Sequence, residues 1–476
     1  MTATSSAPGA PVDAGAARPG SPLLTVAVLC LGGLVASLTQ TMVIPIQGQL
    51  AGLLHTSEAN ASWVITSTLV AGAVAMPISG RLGDLFGKQR VLAISALVLL
   101  LGSLVCALSN SLLPMLAGRL LQGFAMGFIP VGIALLREVT PPRLTATAMA
   151  AMSATLGVGG AIGLPLSAWI VQDYSWHTLF WVSTGLAAIV AVAVVVLVPH
   201  VRDAVPGRFD VVGAIGLALG LVALLVAVSK GNEWGWGHGR TIGLIVTGVL
   251  VLLAWGSYEL RVGDPLCDLR VSARRPVLLT NAAAIAIGFG MMAQAIVVPR
   301  LLQSPSATGY GLDQTLLETG LWMAPGGLVM MAFSPVSGRL IRVVGARVTL
   351  MLGGTVLGLG YVFALFLTDA PWQLMVASCI TSAGVGIGYA AMPTLILESV
   401  PPAEAGSGVG INGLMRSIGT SVSSAVMAAI LTSATIDLGG HELPSEDAFA
   451  ICFAVGAAAA FAGVLLAALV PRRQLP

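Results

Sequence analysis

Long apolar runs, separated by short polar or charged stretches, dominate the chain from Leu23 almost to its last residues. Each is about 20 residues long, the length that crosses the hydrocarbon core of a bilayer as a helix. The runs are continuous and do not alternate between apolar and polar positions, which argues against a transmembrane barrel. With Pro, Gly and charge clusters as boundaries, fourteen helical spans are predicted. They lie near 23–45, 61–80, 91–109, 113–136, 145–171, 178–198, 211–229, 241–260, 277–300, 317–338, 348–367, 372–397, 406–433 and 448–470, numbered helix 1 to helix 14 below.

Composition supports this reading. Of 476 residues 56% are hydrophobic and only 9% charged, against about 25% charged in an ordinary soluble chain. A soluble enzyme and a disordered chain are both excluded. The five cysteines, Cys30, Cys106, Cys267, Cys379 and Cys452, form no CxxC or Cys/His cluster. Neither a disulfide framework nor a metal site is indicated, and no cofactor is expected. Residues 1–22 are rich in Ala, Pro, Gly and Ser with one basic residue, Arg18. They read as a disordered cytoplasmic tail and not as a signal peptide.

The net charge of +2 says little, but its distribution gives an orientation. Seventeen of the 22 basic residues fall on one side of the spans: Arg18; Arg81, Lys88 and Arg90; Arg137 and Arg143; Arg202 and Arg208; Arg261, Arg270, Arg274 and Arg275; Arg339, Arg342 and Arg347; Arg472 and Arg473. The positive-inside rule then puts both termini in the cytoplasm. Trp63, Trp176, Trp234, Trp236 and Trp372 fall near the opposite boundary, as interfacial anchors do.

The chain also repeats itself. Pro77–Leu82 (PISGRL) recurs as Pro335–Leu340 (PVSGRL), an offset of 258, and Glu138–Pro142 (EVTPP) recurs as Glu398–Pro402 (ESVPP), an offset of 260. Each offset spans eight helices, an even number, so the copies share one orientation in the membrane. A six-helix half over 23–200, two extra helices with their linkers over 201–276, and a second six-helix half over 277–476 give this spacing. Parallel repeats of this kind are a plan of secondary transporters, with the substrate between the halves.

These residues resemble the major facilitator superfamily, in particular its fourteen-helix drug:H+ antiporter branch. The resemblance implies an all-α polytopic membrane protein with the major facilitator fold: two six-helix bundles plus two extra linker helices. Its most specific element is Gly80–Arg90 (GRLGDLFGKQR), similar to the family's G-x-L-a-D-r-x-G-r-[RK]-[RK] loop after helix 2, with Leu85 at the common Arg. The glycines, Gly80 and Gly87 among them, permit a tight turn and close approach. Asp84 suits the positive end of a facing helix, and Lys88 and Arg90 suit acids or anionic head groups. Together with Glu138 they make a candidate gating latch. In the second copy Arg342 stands at the Asp84 position, so that latch is expected to be degenerate.

Three further stretches carry the resemblance. Arg119–Gly123 in helix 4 matches R-x-x-q-G, which implies a part for Arg119 in proton coupling through helix 1; from the residues alone it reads equally as an Arg bonding helix-1 carbonyls. Gly157–Ala168 in helix 5 imperfectly resembles the antiporter motif, with Gly159, Gly163 and Pro165 as the residues for close packing and bending. Asn412–Gly419 in helix 13 is similar to N-x-x-R-x-x-G, where Arg416 can snorkel.

The chain departs from the branch in helix 1, where Thr39 in Leu38–Thr41 (LTQT) stands at the usual aspartate, and no Asp or Glu lies near the middle of any span. That weakens both a proton and a cationic substrate. Glu318 and Asp84, with Arg119, are the remaining coupling candidates. Thr39, Gln40, Thr66, Gln122, Asn281, Met291, Met292 and Gln294 are candidate cavity residues. No G-x-x-x-x-G-K-[ST] is present, so ion coupling is expected to drive transport. The expectation is a secondary active exporter of amphipathic drug-like or secondary-metabolite compounds across the bacterial plasma membrane, working by alternating access in exchange for protons. Its partners would be the substrate, the proton and membrane lipids, with no nucleic acid, in a monomer. The alternatives are a facilitator or uniporter of a lipid or metabolite without proton coupling, and a sensor that kept the transporter fold.

Overall fold

The computed structural model describes residues 21–44, 46–200, 207–438 and 441–471. The expected tail, apart from its last two residues, part of the first linker (201–206) and the last five residues lie outside the described residues. Fourteen helices among the described residues are long and apolar enough to cross a membrane. They are helix 1 Pro22–Thr41, helix 2 Glu58–Phe86, helix 3 Lys88–Leu108, helix 4 Leu112–Val139, helix 5 Pro142–Asp173, helix 6 His177–Leu197 and helix 7 Val211–Trp234. Then come helix 8 Gly239–Glu259, helix 9 Arg275–Gln303, helix 10 Leu316–Val344, helix 11 Ala346–Phe366, helix 12 Pro371–Ser399, helix 13 Pro402–Ser433 and helix 14 Glu446–Ala468.

The number agrees with the sequence reading, and the differences at the ends have local causes. Helix 1 stops at Thr41, short of the expected 45; Pro45 follows in the sequence, and a residue before proline is steered out of the α region. Helix 2 runs on to Phe86, so Gly80–Phe86 is helix and not the expected loop. Gly87 alone makes the turn, at φ +95°, before Lys88 starts helix 3. Helices 4 and 12 are both interrupted near mid-span, by a 3-10 turn at Ala125–Gly127 and at Tyr389–Ala390 between Pro371–Gly388 and Ala391–Ser399. Pro130 and Pro393 follow these breaks and have no N–H to offer the carbonyls of Met126 and Tyr389. The acidic segment before helix 14 forms an unexpected antiparallel hairpin, β1 Thr435–Leu438 and β2 His441–Pro444.

Helices 1–6 close around one core and helices 9–14 around another. Two pairs of long helices join these bundles, helix 2 with helix 13 and helix 5 with helix 10. Helix 7 packs on helices 2 and 13 through Leu217, Leu221 and Leu225, while helix 8 lies outside it and is largely exposed. Rows such as Ile94, Leu97 and Leu101 on helix 3 and Val192, Val195 and Val196 on helix 6 face outward. An apolar belt of this extent suits lipid, where a helix satisfies its own backbone groups. Below, the end of the bundle where helix 1 begins and helix 14 finishes is the termini end, and the other is the far end.

Candidate functional site

Helix 13 opens with a 3-10 turn, Pro402–Glu404, and Glu404, the N-cap of its α-helical part Ala405–Ser433, makes no side-chain cap. Its first N–H groups therefore need acceptors from elsewhere. Asp84, in the last turn of helix 2, supplies two: Oδ1 accepts from Gly406 N at 2.9 Å and Oδ2 from Ser407 N at 2.8 Å. The carboxylate is 1% exposed and sits at the positive end of the helix dipole. Lys88, one turn further on, lies 3.5 Å from Asp84 and 2.6 Å from Glu138 at the end of helix 4. One buried network thus caps helix 13 from another bundle and ties in helices 3 and 4.

Backbone contact makes this geometry possible. A Cβ at Gly80 would fall on the Gly406 peptide, 2.6 Å from its carbonyl carbon, so Gly80 is a contact glycine and only Gly87 is a turn. The structure leaves Arg90 exposed on helix 3 and does not bring it into the network.

The repeat builds a matching crossing. A Cβ at Gly338 on helix 10 would lie 2.9 Å from the Thr147 nitrogen on helix 5. Arg342 replaces the carboxylate there, and its Nη1 donates to the Arg143 carbonyl at 2.8 Å in an exposed position. Toward the far end the same helices stay close, with Gly327 against Ala161 and Gly320 against Pro165. Of the three helix-5 residues singled out in the sequence, only Pro165 meets the other bundle. Gly159 and Gly163 receive Ser37 and Thr41 of helix 1, and Thr41 Oγ1 donates to Gly159 O at 3.0 Å.

Arg119 is 1% exposed and bonds in three directions. Nε donates to Val64 O at 3.1 Å, Nη1 to Thr39 O at 3.1 Å and to Gln122 Oε1 at 2.7 Å, and Gln122 Nε2 donates on to Ser103 at 3.0 Å. Helices 1, 2 and 4 are held together by one guanidinium that satisfies backbone carbonyls. Among the described residues no acid pairs with it.

The sequence matches the family model described as Major Facilitator Superfamily over residues 29–424, with a second match over 284–476. The chain belongs to the Major Facilitator Superfamily. It is similar to the Tetracenomycin C resistance and export protein of Streptomyces glaucescens, 28% identical over 437 residues that cover 88% of this chain and 77% of that one. It is also similar to the Multidrug resistance protein B homolog of Mycobacterium tuberculosis, 26% identical over 419 residues, 86% of this chain and 76% of the relative. Its fold superposes on the crystal structure of the human organic anion transporter MFSD10 (TETRAN) with a TM-score of 0.66 at 16% identity, covering 94% and 99% of the two chains. This is a transporter family, so the protein is a multi-pass membrane transporter and not an enzyme.

In this Major Facilitator transporter, most of the polar residues expected in the cavity have hydrogen-bond partners within the helices. Thr39 bonds its own helix at Ala36 O, 2.9 Å away, and Gln122 is held by Arg119. Thr66 meets Ser229 of helix 7 at 3.2 Å. Asn281 accepts from Asn412 at 3.0 Å, and Gln294 bonds Thr381 and the Ser378 carbonyl on helix 12. The reason is common to all: a polar side chain inside an apolar bundle takes the nearest partner on a neighbouring helix. Gln40, Met291 and Met292 remain half-buried. A cavity of about 260 Å³ opens at the far end between the bundles, lined by Gln49, Ala168, Val171, Gln172 and Leu316, none of them singled out beforehand.

Glu318 is likewise accounted for by local structure. It forms a capping box with Thr315 at the exposed start of helix 10, with Oε2 accepting from Thr315 N and Oγ1 at 2.8 Å each. Two features were missed. Lys230, 1% exposed, pairs with Glu233 at 2.8 Å, bonds Ser62 and the Ala59 carbonyl, and lies 4.9 Å from the Trp63 ring; the Lys230-x-x-Glu233 spacing was its only signal. Arg416 does not simply snorkel: it stacks on Tyr389 at 4.3 Å, beside the break in helix 12.

Proposed function

We propose that this Major Facilitator transporter exports amphipathic drug-like or secondary-metabolite compounds across the bacterial plasma membrane, by rocking its two bundles about a site between them. The termini end is the cytoplasmic one, by the distribution of basic residues. The observation that carries the reading is the asymmetry of the two ends. At the termini end a carboxylate of one bundle caps a helix of the other, while at the far end a cavity remains between them. This is a state closed to the cytoplasm, and release of Asp84 from Gly406 and Ser407 is the event that opens it. Relatives named as exporters support the direction of transport.

The spans hold Arg119 and Arg416 in the interior without an acid partner among the described residues, which favours neutral or anionic amphiphiles over cations. Exchange against protons remains the coupling we propose. A proton crossing about 100 mV supplies about 2.3 kcal/mol, close to the roughly 2.7 kcal/mol that a hundredfold gradient demands. With Thr39 at the usual acid, a facilitator without proton coupling is the second reading. Proteoliposomes loaded with a pH dye and offered cationic, neutral and anionic amphiphiles separate them. Proton movement on addition of one class supports exchange, and substrate flux without it establishes the facilitator.

A further inference from the structure

The auxiliary helices carry a pair of acids that the transport reading leaves unused. Asp210 caps the start of helix 7, where its Oδ1 accepts from Gly213 N at 2.8 Å and Tyr258 Oη at 3.1 Å. Its Oδ2 is buried without a hydrogen-bond partner. Glu259 at the end of helix 8 is 3% exposed, and both of its oxygens are also buried and unpartnered. The two carboxyls meet over Gly213: a Cβ built there would touch Asp210 Oδ2 and lie 2.5 Å from Glu259 Oε1.

Basic groups nearby are engaged elsewhere: Arg270 Nη2 donates to the carbonyl of Leu260, the residue after Glu259, at 2.8 Å. The N–H groups of Leu266 and Cys267 and the Trp255 indole turn toward Glu259 without reaching hydrogen-bond geometry, and the charge acting on it is that of Asp210, of like sign. Arg81 of helix 2 lies beyond Cys267, whose thiol also faces Glu259. Asp264 accepts from Arg208 N, and Asp268 and Arg274 act on Glu404. Among the described residues no cation forms an ion pair with either carboxyl.

Two buried carboxyls without a cation cannot both ionise cheaply, and one shared proton turns repulsion into a hydrogen bond. We propose that Asp210 and Glu259 form a proton-binding site, occupied by one proton in this latched conformation and emptied when the latch opens. The inference rests on the gating reading of Asp84, to which the site is connected. Leu266, held against Glu259, accepts through its carbonyl from Ser407 Oγ at 3.2 Å, and Ser407 N is one of the two donors to Asp84. With the proton bound, the pair carries one negative charge instead of two and the loop between helices 8 and 9 stays seated on helix 13. Deprotonated, two anions repel and admit water, and the loop lifts off Ser407. The proton is taken from the adjoining solution on closing and returned on opening. Since the latched state holds a proton that the open state lacks, raising the pH favours opening and lowering it favours closure.

Infrared difference spectroscopy of the full chain in lipid nanodiscs tests the proton directly. At neutral pH the wild type should show the carbonyl stretch of a neutral carboxylic acid, shifted in D2O and lost in Glu259→Gln and in Asp210→Asn. Absence of that band in the wild type, or its survival in the double variant, overturns the site. A sodium-dependent carboxylate signal in its place would mean a bound cation and overturns it too. The link to the latch is read by spin-label distances between Arg90→Cys and Arg339→Cys, both exposed at the termini end. Between about pH 6 and about pH 8 the ratio of latched to open molecules should fall in the wild type by up to about tenfold per pH unit, the limit for one proton. In D210N/E259Q it should stay latched throughout. A wild type that does not respond, or a double variant that responds equally, overturns the link. Neither measurement needs a transported substrate, so both remain decisive if the exporter reading fails.

Discussion

Helix 2 crosses helix 13 and helix 10 crosses helix 5 at the termini end, on glycines that are copies of one another, yet the two crossings differ in kind. At the first, Asp84 is buried and its two oxygens take two backbone donors of the opposite bundle. At the second, Arg342 reaches one carbonyl from an exposed position. The dipole explains the difference. A helix start presents positive charge and free N–H groups, which suit a carboxylate and repel a guanidinium. Arg342 therefore turns to a carbonyl and stays in solvent, where such bonds are weak. The sequence reading expected a degenerate second latch; what survives there is the glycine contact and a surface bond. In the gating proposal the first crossing is the switched contact, and the second, packed along its length, is the pivot.

Substitutions at the paired positions test that contrast. Asp84→Ala should have the largest effect, because it leaves Lys88 with a weakened network and two buried N–H groups unpaired, a loss of about 3–5 kcal/mol for the closed state. Transport assays in vesicles should find activity nearly abolished, and wild-type rates would refute the latch. Gly80→Ala and Gly338→Ala should come next, each costing about 1–3 kcal/mol by overpacking. Thermal unfolding in detergent should register both alike, since the backbone contact is shared; a silent Gly80→Ala would mean the helices do not approach in the membrane as they do here. Glu138→Gln should cost about 1 kcal/mol, since Glu138 is partly exposed and Lys88 keeps Asp84, and a modest fall in initial rate is the reading to look for. Arg342→Ala should change transport least, within about fivefold of wild type on the scale of an exposed pair. An effect equal to that of Asp84→Ala would make the two crossings equivalent.

Much of the fold was legible because the pattern that reveals a membrane span is local. The fourteen helices, the repeat and the extra helices 7 and 8 follow from run length, charge and the Pro77/Pro335 copies. Helix ends were less accessible: helix 2 hides its last turns under the charged residues Arg81 and Asp84, and the partners of Asp84 in helices 3 and 13 make a helical course favourable there. The site was legible only where a residue's chemistry admits few partners, as with Asp84. Thr66, Gln122, Asn281 and Gln294 have several, and the fold used them to join helices. Glu318 and Thr315 spell a capping box in sequence, but near an apolar run the same glutamate also reads as a membrane acid. Asp210 and Glu259 lie 49 positions apart at the ends of two spans, and nothing local announces that they meet.

By itself, then, the sequence determined that the chain spans a bilayer fourteen times in two related halves, because bilayer thickness and the cost of charge in lipid act on each segment separately. Only the tertiary structure decided which polar groups are neighbours. A buried polar atom takes whatever partner the packing of helices sets within about 3 Å of it. That choice, made between residues hundreds of positions apart, separates the carboxylate that joins two bundles from the many polar groups that merely hold one together.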